Sequence, residues 1–184
     1  MASPRALAAF GQRAKRSSGD KEVPTSRPSS ARPLTLAQQF LALQAAALTR
    51  SGTGRLDRER LEWEFSLRPS PLGREYRLRL IYHRDQPPSV VVVDPDLVQL
   101  ANGRRLPHVY QQSPPRLCLF LPGNREWLPT MTLTTTFVPW AMQWLYFFED
   151  WLATDDWQGG GVHPEEANDK PIPKAHPRNR WWRR

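Results

Sequence analysis

The sequence predicts an α+β fold in which an N-terminal helix, an antiparallel strand meander, a loop-rich segment and a long C-terminal helix follow one another. Three patterns indicate this order. An apolar helical run begins near residue 35, two alternating runs flank a Pro/Gly turn within 61–82, and an aromatic helical run covers 137–152. No internal repeat interrupts the order, so we expect one domain with flanking tails.

The first predicted element is a helix that begins after Thr35, because a threonine side chain caps a helix N-terminus well. Apolar residues recur on one helix face. They are Leu36, Phe40, Leu43 and Leu48. The pattern predicts a helix through Ala47 or Leu48, ended by the glycine-containing segment 51–54.

Strand signals follow. Apolar and polar residues alternate over 61–67 and again over 76–82, and the Pro- and Gly-containing segment 69–73 between them predicts an antiparallel hairpin. Four valines at 90–93, preceded by Pro87-Pro88, predict a third strand. This strand is apolar on both faces, so we expect both to be covered.

The second half begins with a stretch, residues 96–116, that is mostly irregular in pattern, followed by a short extended segment at 117–121. A long helix is predicted over 137–152, with Pro139 in its first turn, where the missing N–H is tolerated. Its aromatic stripe is interpreted most simply as core packing. Glycines at 159–161 end the ordered part.

Composition limits the possible functions. The single cysteine excludes an internal disulfide and a cysteine-rich zinc site, and four scattered histidines form no metal-ligand cluster. We therefore expect no metal or other cofactor. The net charge of +8 is concentrated at the two ends. We expect residues 1–33 to be a disordered basic tail and 165–184 a second basic tail around a domain at 34–164. With no signal peptide or membrane-length apolar run, a cytoplasmic location is expected.

The candidate chemistry lies around the single cysteine. Cys118 is preceded by His108 and Tyr110 across a Pro-rich loop, and Trp127 and Pro129 follow it. A cysteine thiolate attacks carbonyl carbon and needs a donor for the resulting oxyanion. The pattern predicts Cys118 and His108 as catalytic residues, with Tyr110, Trp127 and Pro129 shaping a groove. Core filling by the thiol and a structural turn histidine are the simpler alternatives.

The order of these features resembles the ubiquitin-conjugating enzyme family over about residues 34–160. The shared steps are the first helix, the strand meander, the Pro-Pro before the third strand, the Pro107-His108 turn, Cys118-Leu119, the Trp-x-Pro at 127–129 and the long helix. The resemblance implies that the cysteine carries an acyl group as a thioester. The family's His-Pro-Asn motif is not intact here, because its asparagine is missing. His108 is the residue that could replace it.

The final helix and the Trp157-x-Gly159-Gly160-Gly161-x-His163-Pro164 segment are similar to a bacterial branch of that family, encoded in antiphage cyclic-oligonucleotide (CBASS) operons. This resemblance implies conjugation of the C-terminus of a cGAS-like cyclic-oligonucleotide synthase to an amine or another target. His163 either approaches the site or caps the helix end.

Other functions stay open on sequence grounds. The same fold could be a catalytically silent scaffold that binds the synthase. The basic ends, with Trp181-Trp182, could instead bind nucleic acid through phosphate contacts and base stacking. A cysteine peptidase is less well supported, because no separated Cys-His-Asn set is present.

Overall fold

The computed structural model describes residues 32–160 of the chain. Its helices are α1 (Leu36–Ala45), α2 (Leu97–Leu100) and α3 (Phe137–Thr154), with a 3-10 turn at Leu133–Thr135. Its strands are β1 (Thr53–Leu56), β2 (Arg60–Leu67), β3 (Tyr76–His83), β4 (Ser89–Asp94), β5 (Val109–Gln111) and β6 (Arg116–Leu117). The predicted tails lie outside the described residues, apart from residues 32 and 33. The last four residues of the predicted domain, 161–164, also lie outside them. This α+β arrangement confirms the predicted fold class.

The six strands form one antiparallel sheet in the order β1-β2-β3-β4-β6-β5. The predicted hairpin is confirmed: β2 and β3 pair in continuous register, from Arg60 opposite His83 to Leu67 opposite Tyr76. Alternate residues of both strands are buried, as a sheet with one covered face requires. The helices cover that face and enclose the core.

The predicted third strand is also present, as β4, but the expectation for its two faces was wrong. Val90 and Val92 are buried in the core, whereas Val91 and Val93 are only half-buried. Nothing in residues 32–160 covers the second face completely. The run of valines therefore reflects the β propensity of branched side chains as well as burial.

Helix α1 begins at the predicted cap, where the Thr35 hydroxyl accepts a hydrogen bond from the Gln38 backbone N–H. It ends at Ala45, earlier than predicted, and Leu48 is 48% exposed. The chain leaves the helix because Thr49 folds back and donates its hydroxyl to the Leu43 carbonyl at 2.6 Å. This buried side-chain bond replaces another helical turn.

Helix α1 also holds the segment that leads into α3. The buried Gln39 side chain donates to the Met131 carbonyl at 2.8 Å and accepts from the Leu133 backbone N–H at 2.9 Å. Phe40 packs edge-on against Trp63 of β2, with ring centroids 5.1 Å apart. These contacts fix the start of α3 relative to the sheet.

Helix α3 extends slightly beyond its predicted end and packs across the sheet. Phe148 contacts Tyr76 of β3, and the Glu149 carboxylate accepts from the Tyr76 hydroxyl and the Arg74 backbone N–H. The helix ends at Thr154, and the next residue, Asp155, adopts the left-handed conformation typical of a helix C-terminus. None of the helices in residues 32–160 has the length and apolar character that a membrane crossing requires.

Two short elements were not predicted within the stretch expected to be mostly irregular. Asp96 caps α2 by accepting from the backbone N–H groups of Val98 and Gln99. Strand β5 pairs with β6 at the edge of the sheet. The extended segment predicted at 117–121 is shorter than expected, because β6 ends at Leu117.

Candidate active site

The His108 carbonyl joins the cysteine segment to α3. It accepts the Cys118 backbone N–H at 3.0 Å and the Trp144 indole N–H at 2.8 Å. The Pro-rich loop between β5 and β6 therefore folds back, which brings two predicted site residues together. His108 has a φ of 46°, a conformation uncommon for a residue with a side chain. The two hydrogen bonds hold the turn in this conformation.

Cys118 lines a cavity of ≈ 290 Å³ between the β5–β6 edge of the sheet and α3. Its lining residues are His108, Cys118, Leu119, Trp140, Gln143, Trp144, Phe147, Trp157, Gly159 and Gly160. About half of the lining residues are aromatic, and the exposed Gln143 lies where the chain meets solvent. Apolar rings and polar groups therefore line the cavity together, as in sites where a few polar groups orient a bound small molecule or peptide end.

The Cys118 thiol is half-buried. Burial raises its pKa above the usual value, and the nearby Glu126 carboxylate acts in the same direction. The Tyr110 hydroxyl and the Arg116 guanidinium oppose this effect. The net result is a thiol that holds its proton at neutral pH, and not the depressed pKa of a strongly activated cysteine.

Tyr110 lies beside this thiol. Its hydroxyl donates to the Phe120 carbonyl at 2.5 Å and interacts with the Cys118 side chain. The Arg116 guanidinium lies over the Tyr110 ring, 5.2 Å from its centroid. Burial and the adjacent thiol raise the pKa of Tyr110, so its hydroxyl remains a proton donor. Tyr110 is therefore a polar neighbour of the sulfur as well as part of the surrounding wall.

The His108 side chain is buried, with 6% of its surface exposed. Its ring stacks on Trp157, with centroids 5.0 Å apart and an interplanar angle of 21°. Trp157 also contacts Trp144 and Phe147 of α3. Because the ring nitrogens of an imidazole form hydrogen bonds in the ring plane, stacking on Trp157 does not use them. The catalytic role of His108 stays a prediction.

Trp127 and Pro129 lie elsewhere. Trp127 is buried in the core, edge-on to Tyr82 at 5.6 Å and to Phe137 at 5.8 Å. The Pro129 carbonyl accepts the Leu34 backbone N–H at 2.8 Å, which ties the start of the described chain to this segment. Neither residue is among those that line the Cys118 cavity. Their groove-shaping role stays a prediction, and their observed contacts are structural.

Sequence reasoning did not identify the α3 residues and Trp157 as cavity walls. The aromatic stripe of α3 is predicted to pack in the core, and some of its residues do so: the rings of Trp144 and Phe148 stack with centroids 5.3 Å apart. The sequence feature that could have pointed to Trp157 is Gly159, two residues further along the chain. A Cβ on Gly159 would lie 2.6 Å from the Trp157 indole nitrogen, so only glycine fits there. His163 lies outside the described residues.

Within residues 32–160, no group of three His, Cys, Asp or Glu side chains is arranged to hold a metal ion.

Comparisons with known proteins connect this site with a family. The family model E2-CBASS, described as type II CBASS E2 protein, matches residues 39–164. The match covers most of α1, the whole sheet, Cys118 and α3. No curated protein matches the chain.

Proposed function

The chain belongs to the family of type II CBASS E2 proteins, and from this membership we propose that it is a ubiquitin-conjugating-like transferase of bacterial antiphage defence, which carries an acyl group as a thioester on Cys118. The acyl donor is the C-terminus of a partner protein. The family resemblance makes a cGAS-like cyclic-oligonucleotide synthase the candidate partner, and the reaction takes place in the cytoplasm.

The proposed chemistry has two steps. The Cys118 thiolate attacks the carbonyl carbon of the partner's activated C-terminus, which is an acyl adenylate or a thioester, and the activating group leaves with its electron pair. An amine nitrogen then attacks the new thioester, so that a C–N bond forms and the C–S bond breaks. The amine loses a proton and the cysteine recovers one.

The observation that carries the proposal is the position of Cys118 at the wall of the aromatic cavity, beside His108. A partner's C-terminus needs a path to the sulfur, and a cavity that Cys118 helps to line supports such a path. Each step passes through a tetrahedral oxyanion that needs a hydrogen-bond donor. His108 is the candidate donor because its carbonyl hydrogen bonds hold it against the cysteine segment.

The raised pKa of Cys118 is compatible with the role of a carrier. A thiol of high pKa forms little thiolate at neutral pH, but the thiolate that forms is a strong nucleophile. The same thiol is a slow leaving group, since departure is faster for thiols of lower pKa. A thioester on Cys118 should therefore persist until a positioned acceptor attacks it.

A second candidate function is a silent scaffold of the same fold that binds the synthase. Two observations favour it: the raised thiol pKa and the missing asparagine of the family's motif. A scaffold would keep the fold and the partner surface without any covalent step.

The test compares wild type, Cys118→Ser and Cys118→Ala in cells that express the full chain with its neighbouring genes. We expect wild type to form an adduct that reductant removes, Cys118→Ser to trap a reductant-resistant and hydroxide-labile ester, and Cys118→Ala to form neither. Mass spectrometry of the adduct identifies the donor. A partner that co-purifies with all three proteins, without an adduct on any, would favour the scaffold.

A further inference from the structure

The basic residues of the chain are divided unequally between arginine and lysine. All four lysines, at positions 15, 21, 170 and 174, lie near the ends of the sequence. Residues 32–160 contain fourteen arginines and no lysine. The described domain therefore carries positive charge without a single side-chain primary amine.

The difference between the two residue types is chemical. A lysine amine that loses its proton is a nucleophile, whereas the guanidinium of arginine stays protonated and does not act as one in proteins. Any lysine near a thioester is held close to it, at an effective concentration of about millimolar or more. Such a lysine would take the acyl group before a partner could.

Arg116 is the position where this matters most. It is the first residue of β6 and precedes Cys118 by two residues, with the buried Leu117 between them. The guanidinium lies over the Tyr110 ring and contributes a favourable charge to the Cys118 thiolate. A positive charge thus favours the thiolate here, and the charge alone could come from lysine as well as from arginine, whereas only lysine would add an amine.

We propose that the lysine-free surface of residues 32–160, and Arg116 above all, prevents transfer of the acyl group from Cys118 to the domain itself. This inference rests on the proposed function. Arg116 supplies positive charge beside the sulfur without an amine that could attack the thioester. The acceptor amine therefore comes from outside residues 32–160, and Arg116 helps to determine acceptor specificity.

The test places an amine at position 116. Full-length wild type, Arg116→Lys, Arg116→Gln and Arg55→Lys are incubated with a fluorescent peptide aryl thioester, whose leaving thiol has a low pKa. Arg55 is the matched control: it is exposed on β1, and the sheet order puts four strand spacings between β1 and β6, about 19 Å. Thermal unfolding confirms that each variant is folded.

Fluorescence that survives reductant is mapped by mass spectrometry to peptides within residues 32–160. We expect at least about tenfold more of it in Arg116→Lys than in wild type, Arg116→Gln or Arg55→Lys, because only that variant holds an amine beside the thioester. Adding Cys118→Ala to Arg116→Lys should return the signal to background, which shows that the acyl group passes through the cysteine.

Two results would overturn the inference in distinguishable ways. If all four proteins form the reductant-sensitive thioester and Arg116→Lys acquires no more stable adduct than Arg55→Lys, the inference fails and the proposed function survives. If wild type forms no thioester at all, the proposed function fails and the inference falls with it.

Discussion

Replacing Tyr110 by phenylalanine removes one hydroxyl that lies between two acceptors. That hydroxyl donates to the Phe120 carbonyl at 2.5 Å, and its interaction with the Cys118 side chain acts to lower the pKa of the thiol. It has a single proton and cannot serve both acceptors at once. We expect it to donate to Phe120 while Cys118 is a thiol, and to turn to the sulfur when Cys118 becomes a thiolate.

The size of the effect follows from these two bonds. A hydrogen bond to a charged group contributes about 1.5–3 kcal/mol, and giving up the neutral bond to Phe120 costs about 1 kcal/mol. The hydroxyl therefore stabilises the thiolate by a net of roughly 0.5–2 kcal/mol. Because about 1.4 kcal/mol corresponds to a tenfold change, Tyr110→Phe should hold about 2- to 30-fold less thiolate at neutral pH. Its loss raises the pKa of Cys118 further, in the direction in which burial already acts.

The assay is the rate of Cys118 alkylation by iodoacetamide, followed by intact mass from neutral to alkaline pH. The midpoint of the pH profile reports the thiol pKa, and the plateau rate reports how accessible the sulfur is. Tyr146→Phe is the control, since Tyr146 is 53% exposed on α3 and is not among the residues that line the Cys118 cavity. If Tyr110→Phe kept the wild-type midpoint or lowered it, the hydroxyl would not be a donor to the thiolate and the reasoning would be wrong.

Three further predictions concern stability. Gln39→Ala should lower the free energy of unfolding in urea by about 2–4 kcal/mol, since it leaves the Met131 carbonyl and the Leu133 N–H unpaired. The control is Gln44→Ala on the same helix, which changes an exposed side chain and should alter the free energy of unfolding little. Thr35→Ala removes the α1 cap and should cost about 1 kcal/mol in the same measurement. The free energy of unfolding should also fall as pH rises through the ordinary thiol range, because the folded pKa of Cys118 is raised and the unfolded thiol loses its proton first. Cys118→Ser should remove that part of the pH dependence, and an identical slope in both proteins would contradict the raised pKa.

The parts of the fold that could be predicted are those whose pattern is local. The Thr35 cap and the alternation of β2 and β3 each depend on neighbours within a few residues, and the structure confirms them. Strand β1 could not be predicted in this way. All four of its residues are exposed, so it has no alternation to detect, and it exists because it pairs with β2. The same limit applies to the end of α1, which depends on a bond from Thr49 back to Leu43.

The candidate site likewise has a local part that could be predicted from the sequence and a long-range part that could not. The proximity of His108 and Cys118 could be predicted, because a short Pro-rich loop connects them and the chain folds back on itself. The part played by α3 could not. Trp144 lies 36 residues beyond His108 in the sequence, and its indole bond to the His108 carbonyl depends on how the helix packs across the sheet. An aromatic stripe looks the same whether its residues fill a core or line a cavity, and Trp144 does both.

Under the proposed function, two separate properties of the domain act in the same direction. Burial raises the pKa of Cys118, which makes the thiolate a slow leaving group and its thioester slow to break down. The lysine-free surface removes the nearest amines that could attack that thioester. Neither property speeds the transfer step; both extend the lifetime of the acyl intermediate. The domain therefore keeps the acyl group on Cys118. Selectivity for the acceptor must then arise at the cavity beside Cys118, where an acceptor from outside residues 32–160 arrives with its amine already positioned for attack.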